Sequence, residues 1–388
     1  PFTPGALYGN LIATKNWRWI GLLLAIWNLL ALLILVPFYH PRQPINRQGL
    51  TMREALSRID FAGGTMLTLA VILVSVALSW GGNEYPWNSG HVIGCLTTGL
   101  ALFVMFGAWQ WKGAKYPLFP RRIVYAPRPF YCTLFVVFAA GVCFIPLTAF
   151  WAIENISMYN TNRLETCIHS IPIGAGILGG AIISAIVLGL LKKHTALVMA
   201  FFCALLTIGS ACLAAADPDR IGTAMAPAVI AMIGIGGILV PNQIIMTVIS
   251  PDDLIGSVTA LTLAVRAQAQ VIGLAVFYNQ LMNQILKNSY KFLVTAAIQV
   301  GWIDIPAITA MMTTLTSIPF KEFAPTIPQL QDPANYQIMH EATVKVFTAS
   351  FRHLWFITLA FGIPACIAAL FLGDLSHYMD HHVAAPLV

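Results

Sequence analysis

Apolar residues arrive along this chain in long unbroken runs, with neither the strict alternation of a half-buried strand nor short amphipathic stripes. Nine runs reach the roughly 20 residues that a helix needs to cross a bilayer. They are Trp19–Phe38, Phe61–Trp80, Val92–Trp111, Phe130–Ile153, Cys167–Leu191, Ala196–Ala216, Gly222–Ile249, Val258–Met282 and Leu354–Leu372. Residues Phe2–Ala13 read as the tail of a tenth helix. The length of the runs decides for helix over buried strand. In hydrocarbon every backbone polar group must find its partner inside the protein, which leaves helices or a closed barrel. No ten-residue alternating pattern supports a barrel. The expectation is an all-α polytopic membrane protein.

Composition narrows the class further. Of 388 residues, 58% are apolar and 9% charged. So few charges cannot cover a soluble surface, which excludes a soluble enzyme. Seven cysteines, several of them inside apolar runs, make no disulfide framework. The chain opens Pro1-Phe2-Thr3 with no signal-peptide pattern, so the start reads as an internal point in a longer protein.

The net charge of +6 is largely a topology signal. Eleven Lys and Arg fall in one set of alternate loops: Arg42, Arg47, Arg53, Arg58, Lys112, Lys115, Arg121, Arg122, Arg128, Lys192 and Lys193. The other set holds four: Lys15, Arg18, Arg163 and Arg220. The richer side is expected to be cytoplasmic, together with the C-terminus. No groove-binding element accompanies these charges, so no nucleic-acid partner is expected. The sequon Asn155-Ile156-Ser157 falls on the opposite, outer side, which makes Asn155 a candidate glycosylation acceptor. Residues 283–353 are too polar to span and are expected as a long outer loop. Phe292–Ala297 and Ala307–Leu315 are candidate short amphipathic helices within it.

Several short stretches together resemble the major facilitator superfamily, in its fourteen-span drug:proton antiporter form and most closely the fungal trichothecene efflux pump-like group. They are Asn16-Trp17-Arg18-Trp19, Ile59-Asp60-Phe61-Ala62-Gly63, Leu78-Ser79-Trp80-Gly81-Gly82, Tyr85-Pro86-Trp87-Asn88-Ser89 and His91-Val92-Ile93-Gly94. Trp109-x-Trp111-Lys112-Gly113-Ala114-Lys115, Ser250-Pro251-Asp252-Asp253-x-Ile255-Gly256 and Arg266 continue the series. The resemblance implies three parts. Residues 1–59 would be the remnant of an N-terminal half, 60–127 an inserted helix pair, and 128–388 a C-terminal six-helix half. The family's helices one to four would be missing. Thr3-Pro4-Gly5-Ala6-Leu7-Tyr8-Gly9-Asn10 departs from the family's Gly-Pro-x-x-Gly-Gly antiporter motif. The implied activity is proton-coupled efflux of amphipathic small molecules by alternating access. The alternatives are a siderophore-iron or other uptake carrier of the same superfamily, or a non-transporting membrane receptor or degenerate fragment. Expected partners are a small-molecule substrate, protons, the lipid bilayer and the missing N-terminal helices. The plasma membrane is the expected location, with the vacuolar membrane as second choice. No cofactor and no metal are expected.

Polar side chains inside apolar runs are the candidate pathway residues. Arg266 sits a third of the way into Val258–Met282 with Gln268 and Gln270 beside it, and an intramembrane charge points to function. Asn242 and Gln243 follow Pro241, where a proline frees a carbonyl and permits a kink of the kind that shapes transporter sites. Glu154 is the one acid near a span interior and so the candidate proton carrier. His169 titrates near neutrality and lies by the outer mouth. Gly174-Ala175-Gly176-Ile177-Leu178-Gly179 matches a dinucleotide fingerprint literally. With no preceding strand and membrane-grade flanks, Gly176 and Gly180 read instead as a close helix-packing pair. Trp80, Tyr85, Trp87, Trp109, Trp111 and Trp151 at span ends suggest an interfacial belt. Phe144, Phe150, Trp151, Phe277 and Tyr278 are either core packing or the lining of an apolar drug site. His377, Asp380, His381 and His382 have ligand spacing but read as a solvated tail.

Overall fold

A computed structural model describes residues 16, 18–39, 59–82, 84–119, 127–251, 254–302, 304–315 and 318–376. The Thr3–Asn10 stretch, residues 2–13 and the cluster of His377, Asp380, His381 and His382 lie outside the described residues, as do Arg42, Arg47, Arg53, Arg58, Arg121 and Arg122. Among the described residues there is no β-strand, and nine helices are long and apolar enough to cross a membrane.

Helix α1 is Trp19–Phe38, and none of its side chains is buried. Helices α2 (Phe61–Trp80) and α3 (Gly90–Ala108) form an antiparallel pair. Gly99 lets the backbones meet: a methyl group there would lie 3.2 Å from the Ala70 carbonyl oxygen. Side chains at both ends of the pair start and close its helices. The Ser89 hydroxyl caps α3 by accepting from Val92 N–H. The Asp60 carboxylate accepts from Gly63 N–H, from Trp109 Nε1 and, at 2.7 Å, from Gln110 Nε2. One acid thus starts α2 and holds the far end of α3.

From Pro127 onward the chain builds a packed bundle. Helix α4 (Pro127–Ile145) widens into a π-helical turn, Pro146–Phe150, and continues as α5 (Trp151–Met158). Pro146 has no N–H and its ring crowds the preceding turn, which accounts for the widening there. Helices α6 (Arg163–Leu190), α7 (Thr195–Cys212), α8 (Gly222–Val248) and α9 (Ile255–Asn288) follow. Helix α8 sits between α6 and α7 and touches both at backbone distance. A methyl group on Gly180 of α6 would collide with the Ile233 carbonyl of α8, and one on Gly236 of α8 with the Ile177 carbonyl of α6. Gly176 faces Val229 in the same interface. Small residues at such contacts are what allow membrane helices to associate, since lipid supplies no hydrophobic drive. Helix α8 runs through Pro227 and Pro241 as one continuous helix, so no turn is unwound beside Asn242. The carbonyl that Pro241 would crowd belongs to Gly237, where no side chain adds to the crowding.

The long outer loop expected over 283–353 is a correction. Helix α9 runs on to Asn288, turns through a π-helical Ser289–Leu293 and continues as α10 (Val294–Val300), ended by Gly301 at φ 77°. After α11 (Ile305–Thr314) and α12 (Phe320–Phe323), helix α13 starts at Pro333 and runs 38 residues to Leu370. Its start precedes the expected Leu354 because residues 333–353 are amphipathic, a pattern that no hydropathy window detects. Met339, Ala342, Val346 and Ser350 lie buried on one face. Asn288 Nδ2 donates to Ser350 Oγ at 2.9 Å and joins the two extensions.

Gly180→Ala is expected to lower the melting temperature of the detergent-solubilised protein, at a cost of about 1–3 kcal/mol for overpacking. Gly179→Ala, which meets open space, is expected to be neutral or stabilising by up to ~1 kcal/mol. Equal melting temperatures for the two variants would contradict the close α6–α8 contact. For Asp60, burial pushes its acidity the other way, but hydrogen bonds from Gly63, Trp109 and Gln110 outweigh it and hold the carboxyl below its ordinary 3.8. A lowered value means that the stabilisation is present above the ordinary carboxylate range and is lost as pH falls through it. Hydrogen exchange at residues 109–119 should therefore accelerate on acidification, and Asp60→Asn should show the fast exchange at neutral pH.

Candidate functional site

The polar candidates gather at two depths and do not form one cluster. Chain direction sets the levels. Glu154 and Asn155 lie within about 6 Å of the Met158 end of α5, and His169 about 9 Å from the Arg163 end of α6, at ~1.5 Å per residue. These two helix ends are joined by the turn at 159–162 and share one side. Asn242 lies about 9 Å, and Arg266 about 16 Å, from the opposite side, where α8 ends and α9 begins.

At the first level, Glu154 is fully buried, and neither of its carboxylate oxygens has a hydrogen-bond partner among the described residues. The indole N–H groups of Trp151, one turn earlier, and of Trp355, on α13, are also buried and unpartnered. Trp355 lies beside the carboxylate without hydrogen-bonding geometry, and the Tyr159 ring is a further neighbour. An isolated ion in such surroundings is far costlier than a neutral or paired group. The arrangement therefore holds an acid with no partner for its charged form among the described residues, together with two buried, unpartnered indole donors. Beside it, Asn155 Nδ2 donates to the Trp151 carbonyl at 2.8 Å. This turns Asn155 Oδ1 toward His169 Nδ1, 3.2 Å away. His169 is thereby assigned its proton on Nδ1 in the neutral form.

Two sequence expectations fail here. Asn155 is fully buried within a helix and its amide is engaged, so a glycosyl transferase cannot reach it in the folded protein. Trp151 does not belong to an interfacial belt but is 3% exposed in the bundle core. Phe150 and Phe277 are likewise core residues.

At the second level, Arg266 is half-buried and has no hydrogen-bond or ion-pair partner among the described residues. Its stem passes Gly141 of α4, where a methyl group would lie 3.5 Å from Arg266 Cγ. Asn242 is almost wholly buried and its Oδ1 is unpartnered among the described residues. The neighbouring glutamines are helix-joining groups. Gln243 Nε2 donates to Thr259 Oγ1 at 2.8 Å, linking α8 to α9. Gln268 Nε2 donates to Ser75 Oγ at 3.0 Å, linking α9 to α2. Three turns further along α9, Asn279 Nδ2 donates to the Gly81 carbonyl at 2.9 Å. The α2–α3 pair is thus fastened to α9 at two heights. Gln270 is half-buried. Trp355, Ser75 and Asn279 carry no local signal of a role; each sits in an apolar or interfacial run where only its spatial neighbour reveals its use.

Among the described residues, nine membrane-length apolar helices with isolated charged and amide side chains define a multi-pass membrane protein. The chain belongs to the fungal trichothecene efflux pump family, whose model matches residues 4–388. It is similar to the trichothecene efflux pump TRI12 of Fusarium sporotrichioides, 22% identical over 383 residues, covering 96% of this chain and 63% of that protein. The MFS-type transporter TOXA of Cochliobolus carbonum is 30% identical over 191 residues, 47% of this chain and 34% of that protein. The MFS-type efflux pump elcC of Phaeosphaeria nodorum is 31% identical over 189 residues, 46% of this chain and 32% of that protein. The chain thus spans less than two thirds of the length of these relatives.

If Asn155 is sealed in the core, the protein made in a glycosylating host should run at the same mobility before and after endoglycosidase treatment. A shift that Asn155→Gln removes would contradict the burial.

Proposed function

We propose that the intact protein is a secondary active carrier, and not an enzyme, that exports amphipathic small molecules by alternating access. The observation that carries this reading is the family match over residues 4–388 of a chain with nine membrane-length helices among its described residues. Proton influx is the proposed drive, and Glu154 the proposed proton carrier, because it is a buried acid without a partner among the described residues. Arg266 is the proposed pathway or latch group on the opposite level, with Asn242 nearer that face and Gln270 one helical turn deeper along α9. The two levels suit a carrier whose openings alternate, with one polar station nearer each face. His169 is proposed to report the state of the first station through Asn155. The inserted pair, residues 60–127, is proposed to move with the C-terminal half, to which Ser75 and Gly81 are tied. The plasma membrane is the proposed location, with the Lys- and Arg-rich loops and the C-terminus in the cytoplasm.

The test is efflux of a fluorescent amphiphile from yeast expressing the intact protein, with and without a protonophore. Export is expected to stop with the protonophore. Glu154→Gln should uncouple export from the pH gradient, and Arg266→Ala should reduce it on the order of tenfold or more at normal surface expression, as for an intramembrane charge worth several kcal/mol. Export that Glu154→Gln leaves unchanged would remove Glu154 from the coupling. Iron-dependent accumulation in place of export would transfer the protein to the siderophore-uptake reading.

A further inference from the structure

Helices α7 and α13 pack against each other, and a groove of about 630 Å³ is lined by both where α7 ends. Its walls are apolar: Ile208, Ala211 and Cys212 from α7, with Phe356 and Leu359 from α13. One charged residue, Arg352, stands at its mouth. Arg352 is held in place, because its Nε donates at 3.1 Å to the Ala214 carbonyl, in the turn that follows α7. That bond uses one of the five guanidinium donors. The Nη groups have no partner, and the charge no counter-ion, among the described residues.

Depth identifies what such a groove faces. From Leu354 to Leu370 helix α13 carries no charged residue. Leu370 lies about 27 Å along the helix from Arg352 at ~1.5 Å per residue, close to the ~30 Å thickness of bilayer hydrocarbon. Arg352 therefore stands at headgroup level when the apolar part of α13 is in the bilayer. Below it Phe356, Ile363 and Ile367 are all about half exposed and form one stripe down the same helix. A fixed guanidinium fork above an apolar furrow is complementary to a phosphate joined to acyl chains.

We infer that this groove is a binding site for one two-chain phospholipid, its phosphate on Arg352 and an acyl chain between α7 and α13. The site faces the surrounding bilayer, stands apart from Glu154 and Arg266, and does not depend on the transport reading. Bound there, a lipid would brace α13 against α7 one turn from Trp355.

The test uses the purified, delipidated protein, with lipid retention read by native mass spectrometry and melting temperature read in parallel. The probes are dioleoyl phosphatidylglycerol, dioleoylglycerol and glycerol phosphate. Phosphatidylglycerol is expected to stay bound and raise the melting temperature, while the other two do neither. Arg352→Gln should weaken retention about tenfold or more, the equivalent of one charge-assisted contact. Ala211→Trp fills the furrow and leaves the Arg352–Ala214 bond in place, so it should weaken retention in a protein that still folds. Retention equal to wild type in both variants would overturn the site. So would equal stabilisation by dioleoylglycerol, which lacks the phosphate, or by glycerol phosphate, which lacks the chains.

Discussion

Everything in the packed part of this molecule depends on how closely α8 can be approached. A water-soluble bundle is drawn together by apolar burial, but in lipid that drive is absent and contact distance takes its place. Helix α8 meets this constraint by carrying glycine on two faces. Gly236 admits the backbone of α6, while Gly234 admits the Phe202 carbonyl of α7 at 2.7 Å from where a methyl group would stand. Gly237 accommodates the Phe202 ring itself. With α6 and α7 seated against α8, α13 can pack on α7, and α4 and α9 close the other side. The polar stations exist only because this framework encloses them.

The enclosed polar groups fall into two kinds. Gln243, Gln268, Asn279 and Asn288 have partners on other helices and hold the bundle in register. Such bonds are modest individually, about 0.6 kcal/mol on average in a membrane, so their value is in fixing positions. Glu154 and Asn242 are different, since they are buried with acceptor atoms unmatched among the described residues. A fold that satisfies the amides elsewhere and leaves these atoms unmet places its unmet hydrogen-bonding capacity at two particular depths.

Much of this was legible in the chain. The runs Trp19–Phe38 and Phe61–Trp80 coincide with α1 and α2 at both ends, because uninterrupted hydropathy is itself the physical requirement for crossing lipid. Glu154, Arg266 and Asn242 stood out for the same reason, as polar groups in apolar surroundings. What the sequence concealed was partnership. Nothing local distinguishes Gln268, which reaches Ser75, from Gln270 two residues on. Trp151 looked interfacial because it lies near the end of an apolar run, but the continuation of that run as α5 carries it into the core. The first half of α13 was hidden because its burial is against protein, and a helix that is wet on one face has no net apolar signal.

The continuity of α13 has an implication for how such chains can vary. One unbroken rod carries the buried Met339, Ser350 of the Asn288 bond, Arg352 of the groove and Trp355 of the buried acid. One residue inserted between Met339 and Ser350 would turn Met339 about 100° away from Trp355, at 3.6 residues per turn. Length is thus frozen along this rod to the resolution of a single amino acid. A change of length before Pro333, in the connection punctuated by Pro306, Pro319, Pro325 and Pro328, would by contrast leave the register within the rod untouched.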